Sequence, residues 1–365
     1  MEGTRKENKM GVMPVGKLLV NMSLPIMISM FVQALYNVVD SIFVAQIGEQ
    51  ALAAVSLAFP VQTLMIAVSV GTGVGINSLL SRRLGEKRYE DANAAATNGV
   101  FLCVVSSLAF ALFGLFFSEM FFRAFTADET IIEMGKQYLG ICTVFSIGVF
   151  VQVAMERILQ ATGITIYNML MQGAGAITNI ILDPIFIFGW FGLPAMGVAG
   201  AAIATVVGQI VAMGLGIYFN HKKNHEVSMS FKGFRLNGRI IGEIYKVGVP
   251  SIVMQAIGSV MNIGMNKILM SFTAVAVNVF GVYFKLQSFI FMPVFGLTNG
   301  MIPIVGYNFG ARKPKRIKGT IRYSIIFALA IMAVGLLLFQ LFPQVFLKMF
   351  NASADMMSMG SIALR

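Results

Sequence analysis

Six long stretches of this 365-residue chain carry no charged side chain, and they constrain its fold more than any other feature. An α-helix needs about 20 apolar residues to cross the hydrocarbon core of a membrane. Only 12% of the residues are charged, whereas a soluble domain carries about 25%. We therefore predict an all-α polytopic membrane protein, because backbone in lipid must satisfy its hydrogen bonds within helices. The uncharged stretches are 50–81, 92–118, 158–182, 184–220, 286–311 and 323–347.

The apolar segments predict nine full transmembrane helices and the start of a tenth near Ala354. The stretch 184–220 is too long for one helix, so we expect a break near Gly189–Pro194. The nine predicted spans lie near 18–44, 51–80, 93–120, 132–155, 164–187, 196–219, 244–269, 277–305 and 320–346.

Residues 25 to about 88 recur 225 positions later without a gap. Parallel repeats of this kind build transporters with two lobes around a central site. We predict two six-helix bundles: an N-terminal lobe over 1–220, a cytoplasmic linker over 221–243 and a partial C-terminal lobe over 244–365. A complete second lobe would end near residue 445, so we expect the chain to be truncated at its C-terminus. The repeated pairs are Pro25 and Pro250, Asn37 and Asn262, Gln62 and Gln287, Gly71 and Gly296, Gly75 and Gly300, and Gly85 and Gly310.

Lysine and arginine are distributed unevenly among the predicted connections. A cytoplasmic N-terminus places 21 of them, including Arg157, on the inside and only Arg123, Lys136 and Lys348 on the outside. Cytoplasmic loops carry such an excess, so we predict a protein of the bacterial inner membrane with its N-terminus in the cytoplasm. The net charge of +11 then reflects topology and contact with membrane lipids, and not a nucleic-acid site.

Two local patterns favour structural over chemical interpretations. The run from Gly71 to Gly75 resembles a nucleotide loop, but it lies in an apolar span and has no Walker lysine. We interpret these glycines and their repeat partners as faces for close helix packing. His221 and His225 have the spacing of metal ligands on a helix, but a solvated pair is the better interpretation in so polar a segment.

Asp40 is the first carboxylate at membrane depth, where ionisable groups are costly and face a cavity or a partner. Asn37, Tyr36 and Gln33 precede it at helical spacing and share its face, which indicates a polar stripe on an apolar helix. The alternative is an aspartate in water at the helix end.

Asp183 is the second carboxylate, and it separates two uncharged stretches. Asn179 lies one turn earlier and Pro184 follows immediately. This setting favours proton or cation binding by Asp183. Alternatively, Asp183 caps a helix that restarts at Pro184, because Asp–Pro suits the first positions of a helix.

The sequence resembles the MATE (multidrug and toxic compound extrusion) family, and more closely its DinF-like bacterial multidrug-efflux branch. The likeness extends over essentially the whole chain. It implies two six-helix lobes that export drugs, toxins and organic cations in exchange for H⁺ or Na⁺. The residues that carry it are Pro25 to Asp40, with Tyr36-Asn37-Val38-Val39-Asp40, then Asn179 to Phe188, Gly197 to Thr205, and the basic turns Leu84 to Arg88 and Phe309 to Lys313.

By this resemblance, the family's coupling site for H⁺ or Na⁺ falls on Asp40, Asn179, Asp183 and Thr205, with Tyr36 nearby. The repeat partner of Asp40 is a methionine, so the second lobe does not duplicate this acid. We expect polar residues of both lobes to line a substrate cavity. They are Gln33, Asn37, Gln62, Gln209, Gln255, Asn262, Lys285 and Gln287.

Lys285 lies between two uncharged runs of the eighth span. It either lines the cavity or pairs with a buried carbonyl or a missing acid. A cation in the cavity would disfavour purely cationic substrates and would admit zwitterions or anions.

We predict a secondary active antiporter, and not an enzyme, that works by alternating access. Its partners would be amphipathic small molecules and membrane lipids, with no nucleic acid, no cofactor apart from the coupling ion, and a monomeric state. Two alternatives remain. One is a lipid-linked precursor flippase or polysaccharide exporter of the same superfamily, and the other is a membrane-embedded enzyme that uses Asp40 and Asp183 as a pair.

Overall fold

The computed structural model describes residues 7–229, 234–272, 274–349 and 354–365. These ranges contain α-helices, one short 3₁₀ helix (Trp190–Gly192) and no β-strand, which confirms the predicted all-α class. The helices are α1 (Lys9–Val12), α2 (Val15–Ile47), α3 (Glu49–Gly85), α4 (Tyr89–Arg123), α5 (Glu129–Val144), α6 (Ile147–Ala161), α7 (Ile166–Phe188), α8 (Val198–Lys222), α9 (Gly238–Met270), α10 (Ala274–Gly310), α11 (Pro314–Leu341), α12 (Pro343–Met349) and α13 (Ala354–Leu364).

The predicted spans correspond to long apolar helices. In the described ranges, eight helices are individually long and apolar enough to cross a membrane, and α5 with α6 forms a ninth span bent by 42°. The predicted break after α7 is present. Gly189 and Gly197 flank it with φ angles of +74° and +54°, which residues with a Cβ rarely adopt, so these glycines let the chain turn into α8.

The sequence repeat extends to the backbone. Helices α3 and α10 each contain 37 residues, and both bounds of α10 are those of α3 shifted by 225 positions. In the turns that follow, the equivalent residues Lys87 and Arg312 have φ angles of +58° and +55°. The next residue of each turn donates its N–H to the carbonyl five residues earlier, at 2.9 Å, as in a Schellman cap. We call α2–α8 the first half and α9–α13 the second half.

The repeated glycines lie where the two halves meet. Gly71 and Gly75 of α3 pack against α9, and Gly296 and Gly300 of α10 pack against α2. A Cβ atom on Gly75 would overlap the carbonyl oxygen of Ile244. These contacts confirm the interpretation of the glycines as close-packing faces. We call this surface, where α2 and α3 meet α9 and α10, the seam.

The basic turns share one end of the bundle, which we call the basic end. Asn8 donates hydrogen bonds to the Thr162 carbonyl at 2.9 Å and to Glu226 at 3.0 Å, so three connecting segments meet there. Arg83 of α3 and Glu243 of α9 form an ion pair of 2.7 Å across the seam. This end is therefore held by charged contacts as well as by glycine packing.

The polar connection between the halves has different bounds from the predicted 221–243 linker. Helix α8 continues to Lys222, and α9 already begins at Gly238. The Asn237 side chain accepts hydrogen bonds from the backbone N–H groups of Arg239 and Ile240. This N-cap starts α9 well before its first apolar run.

Contacts across the seam extend from the basic end to the rings of Phe31 and Phe289, whose centroids are 6.3 Å apart. Beyond that level the packing changes. Ile244 near the basic end of α9 is buried, whereas Met254 and Val260 further along the helix are both 69% exposed. The described helices thus pack together at the basic end and are more exposed toward the opposite end, in the region between the halves that we call the cleft.

Candidate functional site

Helix α7 places Asp183 and Asn179 in the interior of the first half. Their side chains are 0% and 2% exposed. They lie one helical turn apart, and the Asn179 amide donates a hydrogen bond to the Asp183 carboxylate. Helix α7 runs from Ile166 to Phe188 and passes through Pro184. Asp183 is therefore not the N-cap of a helix that restarts at the proline.

Helix α8 supplies Thr205, because α7 and α8 approach closely at two glycines. A Cβ atom on Gly175 would lie 2.9 Å from the carbonyl oxygen of Gly208, and one on Gly208 would lie 2.7 Å from that of Gly175. This packing brings the Thr205 hydroxyl to 3.3 Å from the Asn179 side-chain amide, within hydrogen-bonding distance. Asn179, Asp183 and Thr205 thus form one polar group inside an apolar bundle. We call it the polar triplet.

Helix α2 brings Asp40 and Tyr36 to the polar triplet. Asp40 interacts electrostatically with Asp183, and Tyr36 interacts with both carboxylates. Asp40 Oδ1 is buried and has no hydrogen-bond partner among the described residues. A bare carboxylate oxygen at membrane depth is costly unless a proton or a cation binds it. The atoms that could bind an ion here are the side-chain oxygens of these residues, which are hard ligands and fit H⁺ or a small cation such as Na⁺.

A small cavity of about 20 Å³ opens beside the polar triplet. A space of this size holds one or two water molecules and no organic substrate. Its polar lining is formed by Tyr36, Gln152, Gln172, Asn179, Thr205 and Gln209. A separate pocket of about 520 Å³ lies between α2 and α11 near the basic end, and none of the predicted substrate residues lines it.

The residues predicted to line a substrate cavity are dispersed over both halves. Gln209 lines the small cavity. Gln62 donates a hydrogen bond to the Tyr138 hydroxyl at 3.2 Å, within the first half. The prediction for Asn262 concerns a side chain that lies outside the part of the chain whose side chains the structure describes. The remaining amides, which are exposed or half-buried on α2, α9 and α10, are Gln33, Asn37, Gln255 and Gln287.

Lys285 is exposed on α10. It lies four residues before Phe289, whose ring packs against Phe31 of α2. Side chains four residues apart share a helix face, so Lys285 is on the face that α10 turns toward α2. Its exposure shows that, among the described residues, Lys285 is not enclosed by a buried carbonyl partner, and its place in a substrate cavity stays a prediction.

A second buried polar cluster, which the sequence interpretation missed, surrounds Glu156 and Arg157 of α6. Their exposed fractions are 9% and 6%, so the placement of Arg157 in a cytoplasmic connection was wrong. The Arg157 guanidinium has partners on its own helix and on α10, which lets it remain inside the bundle. A sequence signal existed, since two adjacent opposite charges directly follow the apolar span predicted near 132–155.

The MatE family model matches residues 25–185 and 250–365, which together make up most of this sequence. The chain belongs to the MATE family. The predicted resemblance is thereby confirmed. The matched ranges include Asp40, Asn179, Asp183 and the repeated segment of the second half, whereas Thr205 lies outside them.

Relatives and solved structures of the MATE family agree with this assignment. A FAD transporter of Shewanella oneidensis is 27% identical over 347 residues, which are 94% of this chain and 76% of the relative. The multidrug export protein MepA of Staphylococcus aureus is 26% identical over 353 residues, which are 96% of this chain and 77% of the relative. A multidrug resistance MATE family transporter of the MOP superfamily, solved in an outward-facing conformation, matches all of this chain and 81% of its own with 27% identity and a TM-score of 0.91.

As a member of the MATE family, the protein is an integral membrane transporter with a two-bundle fold and not an enzyme. The alternative of a membrane-embedded enzyme is therefore excluded.

Proposed function

We propose that this MATE-family transporter is a secondary active antiporter that exports amphipathic organic compounds in exchange for H⁺ or Na⁺. The observation that carries the proposal is the buried polar triplet beside Asp40, whose Oδ1 atom has no partner among the described residues. Ionisable groups of this kind mark ion and proton pathways in membrane proteins. We assign the coupling ion to the oxygens of Asp40 and of the triplet.

The coupling ion acts by changing the charge of the first half. Asp40 and Asp183 interact, and two carboxylates at membrane depth are disfavoured as simultaneous anions. A bound H⁺ or Na⁺ offsets that repulsion and favours the arrangement in which the pair is shielded from water. An ion shifts such an equilibrium only by binding the two arrangements unequally, so ion release requires an arrangement in which the carboxylates are hydrated.

Transport also requires that the cleft open alternately to the two sides. The halves pack together at the basic end through glycines such as Gly75 and Gly300, and through the Arg83–Glu243 ion pair. Export then involves separation of these contacts while the opposite end closes. Rigid-body rocking of one repeat against the other is the usual form of this motion.

The substrate classes that we propose follow from the charges of the two halves and from the names of two relatives. The negative charge of the first-half carboxylates favours amphipathic cations, and the relative MepA is named as a multidrug export protein. Lys285 favours anions or zwitterions, and another relative is named as a FAD transporter. We propose organic cations as the first candidate class and anionic aromatic compounds such as FAD as the second.

We also infer that the basic end faces the cytoplasm of a bacterial cell, with the protein in the inner membrane. The inference rests on the excess of Lys and Arg at that end, which is typical of cytoplasmic loops. Because each chain contains its own polar triplet, we propose that the monomer is the transporting unit.

The test is efflux from proteoliposomes. We would record efflux of a fluorescent cationic dye, and separately of FAD, under an imposed pH gradient and then under a Na⁺ gradient. The wild type is compared with Asp183→Asn, which keeps the shape of the side chain but removes its charge. Asp355→Asn is the matched control, because Asp355 is an exposed aspartate at the start of α13.

We expect gradient-driven efflux that is lost in Asp183→Asn and retained in Asp355→Asn, and the effective gradient identifies the coupling ion. Full efflux by inserted Asp183→Asn protein would refute the assignment of the coupling site. Intact wild-type protein with no efflux under either gradient would favour the alternative of a lipid-linked precursor flippase or polysaccharide exporter.

A further inference from the structure

Two opposite charges are buried side by side in α6 and take no part in the coupling site described above. Glu156 and Arg157 are adjacent in sequence, and both lie inside the first half. Buried charges are stable only when they are paired and hydrogen-bonded. Their partners therefore indicate what the pair does.

Gln160 joins the two charges. Its amide nitrogen donates a hydrogen bond to Glu156 Oε1 at 3.0 Å, and its amide oxygen accepts one from Arg157 Nη1 at 2.9 Å. Asn77 of α3 donates a further hydrogen bond to the Gln160 oxygen at 3.3 Å. The carboxylate and the guanidinium are thus held in fixed positions by amides on α6 and α3.

Arg157 also crosses the seam. Its Nη1 atom donates a hydrogen bond of 3.0 Å to Asn299 Oδ1, on α10 of the second half. The path is opened by Gly73 of α3, where a Cβ atom would lie only 2.7 Å from the Arg157 side chain. Arg157 is therefore a charged group of one half that reaches a polar group of the other, near the glycine contacts that close the basic end.

On its other side, the cluster reaches toward the coupling site. Gln172 of α7 donates a hydrogen bond to Glu156 Oε2 at 3.3 Å and accepts one from Gln152 at 3.0 Å. Gln152 and Gln172 line the same small cavity as Asn179 and Thr205. A continuous polar path thus runs from the polar triplet through the cavity and Glu156 to Arg157 and the seam.

We propose that the Arg157–Asn299 hydrogen bond is a latch that stabilises the conformation closed at the basic end, and that Glu156 is the residue that positions it. When the halves separate at this end, Arg157 loses its partner on α10 and water replaces it. Glu156 supplies the counter-charge that keeps Arg157 in place, and its link to the cavity allows events at the polar triplet to bias the latch. The inference extends the alternating-access part of the proposed function.

The test measures opening of the seam directly, without transport. Cys103 and Cys142, both buried, are replaced by alanine, and Ser81→Cys adds one thiol at the seam. Ser81 is fully buried, and its side chain lies against Gly306 of α10. Its alkylation by a soluble maleimide therefore reports how often the basic end opens.

Four variants are compared with this parent. Asn299→Ala and Asn299→Ser remove the acceptor, whereas Asn299→Asp strengthens it by adding a charge opposite Arg157. Thr298→Ala is the matched control, since Thr298 is an exposed neighbour that bonds only within its own helix. We expect the variants without the acceptor to be alkylated about tenfold faster than the parent, because the loss of a hydrogen bond to a charged group changes an equilibrium by about this factor. We expect Asn299→Asp to be alkylated more slowly than the parent.

A rescue experiment tests the role of Glu156. Glu156→Gln leaves Arg157 without its counter-charge, and we expect faster alkylation of the seam thiol. The double variant Glu156→Gln/Asn299→Asp moves the negative charge onto the other half. We expect it to restore slow alkylation, which a general packing defect would not do.

The latch proposal is refuted if Asn299→Asp and the acceptor-deleted variants change the alkylation rate in the same direction. It is also refuted if all of these variants are alkylated at the rate of Thr298→Ala. Positioning by Glu156 is overturned if the double variant alkylates as fast as Glu156→Gln alone. Because the readout needs no ion gradient or substrate, a failed latch leaves the proposed antiport untouched, and a failed efflux assay leaves the latch open to this test.

Discussion

At the scale of single residues, the proposed transport mechanism depends on a few polar side chains in apolar surroundings. Asp183 is stabilised by its contact with Asn179, and Thr205 completes the polar triplet from α8. Glu156 and Arg157 carry opposite charges, and both are hydrogen-bonded to Gln160. Lys285, in contrast, is exposed on α10, and we propose that it faces the cleft.

Lys285→Met is expected to change substrate preference. Methionine keeps an unbranched side chain but removes the charge, so attraction of anionic substrates into the cleft is lost. We expect efflux of FAD relative to a cationic dye to fall by about tenfold, the effect of about 1.4 kcal/mol of lost attraction. Lys267→Met is the matched control, because Lys267 is exposed near the far end of α9. An unchanged ratio of the two efflux rates would count against a cleft-facing Lys285.

Acid should release the N-terminal segment from the basic end. Lys313 donates a hydrogen bond to Glu7, which holds the pKa of Glu7 below its usual range. For a depressed pKa, the stabilisation is complete above the pKa of the unfolded chain and is lost as pH falls through the folded pKa. We expect the amides of α1 to lose hydrogen-exchange protection between about pH 6 and about pH 3, after correction for intrinsic rates.

The Glu7→Gln variant is the control for this prediction. Its α1 amides should already be less protected at the higher pH and should change little on acidification. The effect is small, because the Glu7 side chain is 43% exposed and solvent screens the contact. The same acid-induced loss in Glu7→Gln would assign it to another group.

At the scale of helices, close contact across the seam depends on residues without side chains. Gly71, Gly75, Gly296 and Gly300 allow the backbone of α3 and α10 to touch the opposite half. In membranes, helix association relies on van der Waals packing more than on the hydrophobic effect, so small residues at the interface have a direct energetic role. The repeat preserves these glycines because both halves use them in the same way.

Gly75→Ala is expected to destabilise the closed seam. The added methyl would overlap the Ile244 carbonyl, which is backbone and cannot move aside alone. We expect a loss of about 1–3 kcal/mol, measured as a fall in melting temperature of purified protein. Gly242→Ala in α9 is the control, because a Cβ there meets open space. Equal melting temperatures of the two variants would show that the seam tolerates a methyl group.

The positions of most helices could be predicted, because they depend on features that are local in the sequence. The length of an apolar run and the positions of charges decide where a helix can cross a membrane, so the bounds of α3 or α4 follow closely from the sequence. The bend between α5 and α6 was not predicted. It has no proline or glycine at Phe145–Ser146 to indicate it, and it depends on packing against neighbouring helices.

At the scale of the whole molecule, the proposed alternating access requires the two halves to move apart at the basic end. A Cβ atom on Gly306 would lie 3.4 Å from Ser81 Cβ across the seam, close to the spacing of about 3.8 Å in disulfides. In a background without Cys103 and Cys142, we expect oxidation of Ser81→Cys/Gly306→Cys to stop efflux and reduction to restore it. Each single cysteine variant, treated in the same way, is the control. Full efflux by the oxidised double variant would exclude opening at this end.

The sequence alone determined that the chain is a duplicated membrane bundle with two acids at depth, because hydropathy, charge and repetition can be read along one dimension. It identified Asp40, Asp183 and Asn179 for the same reason, since a polar group in an apolar run is visible locally. The tertiary structure decided which groups meet. Arg157 became an interior residue because Asn299, 142 positions away, and Gln160 provide its hydrogen bonds. Such a contact depends on how the two halves pack, which no local pattern encodes.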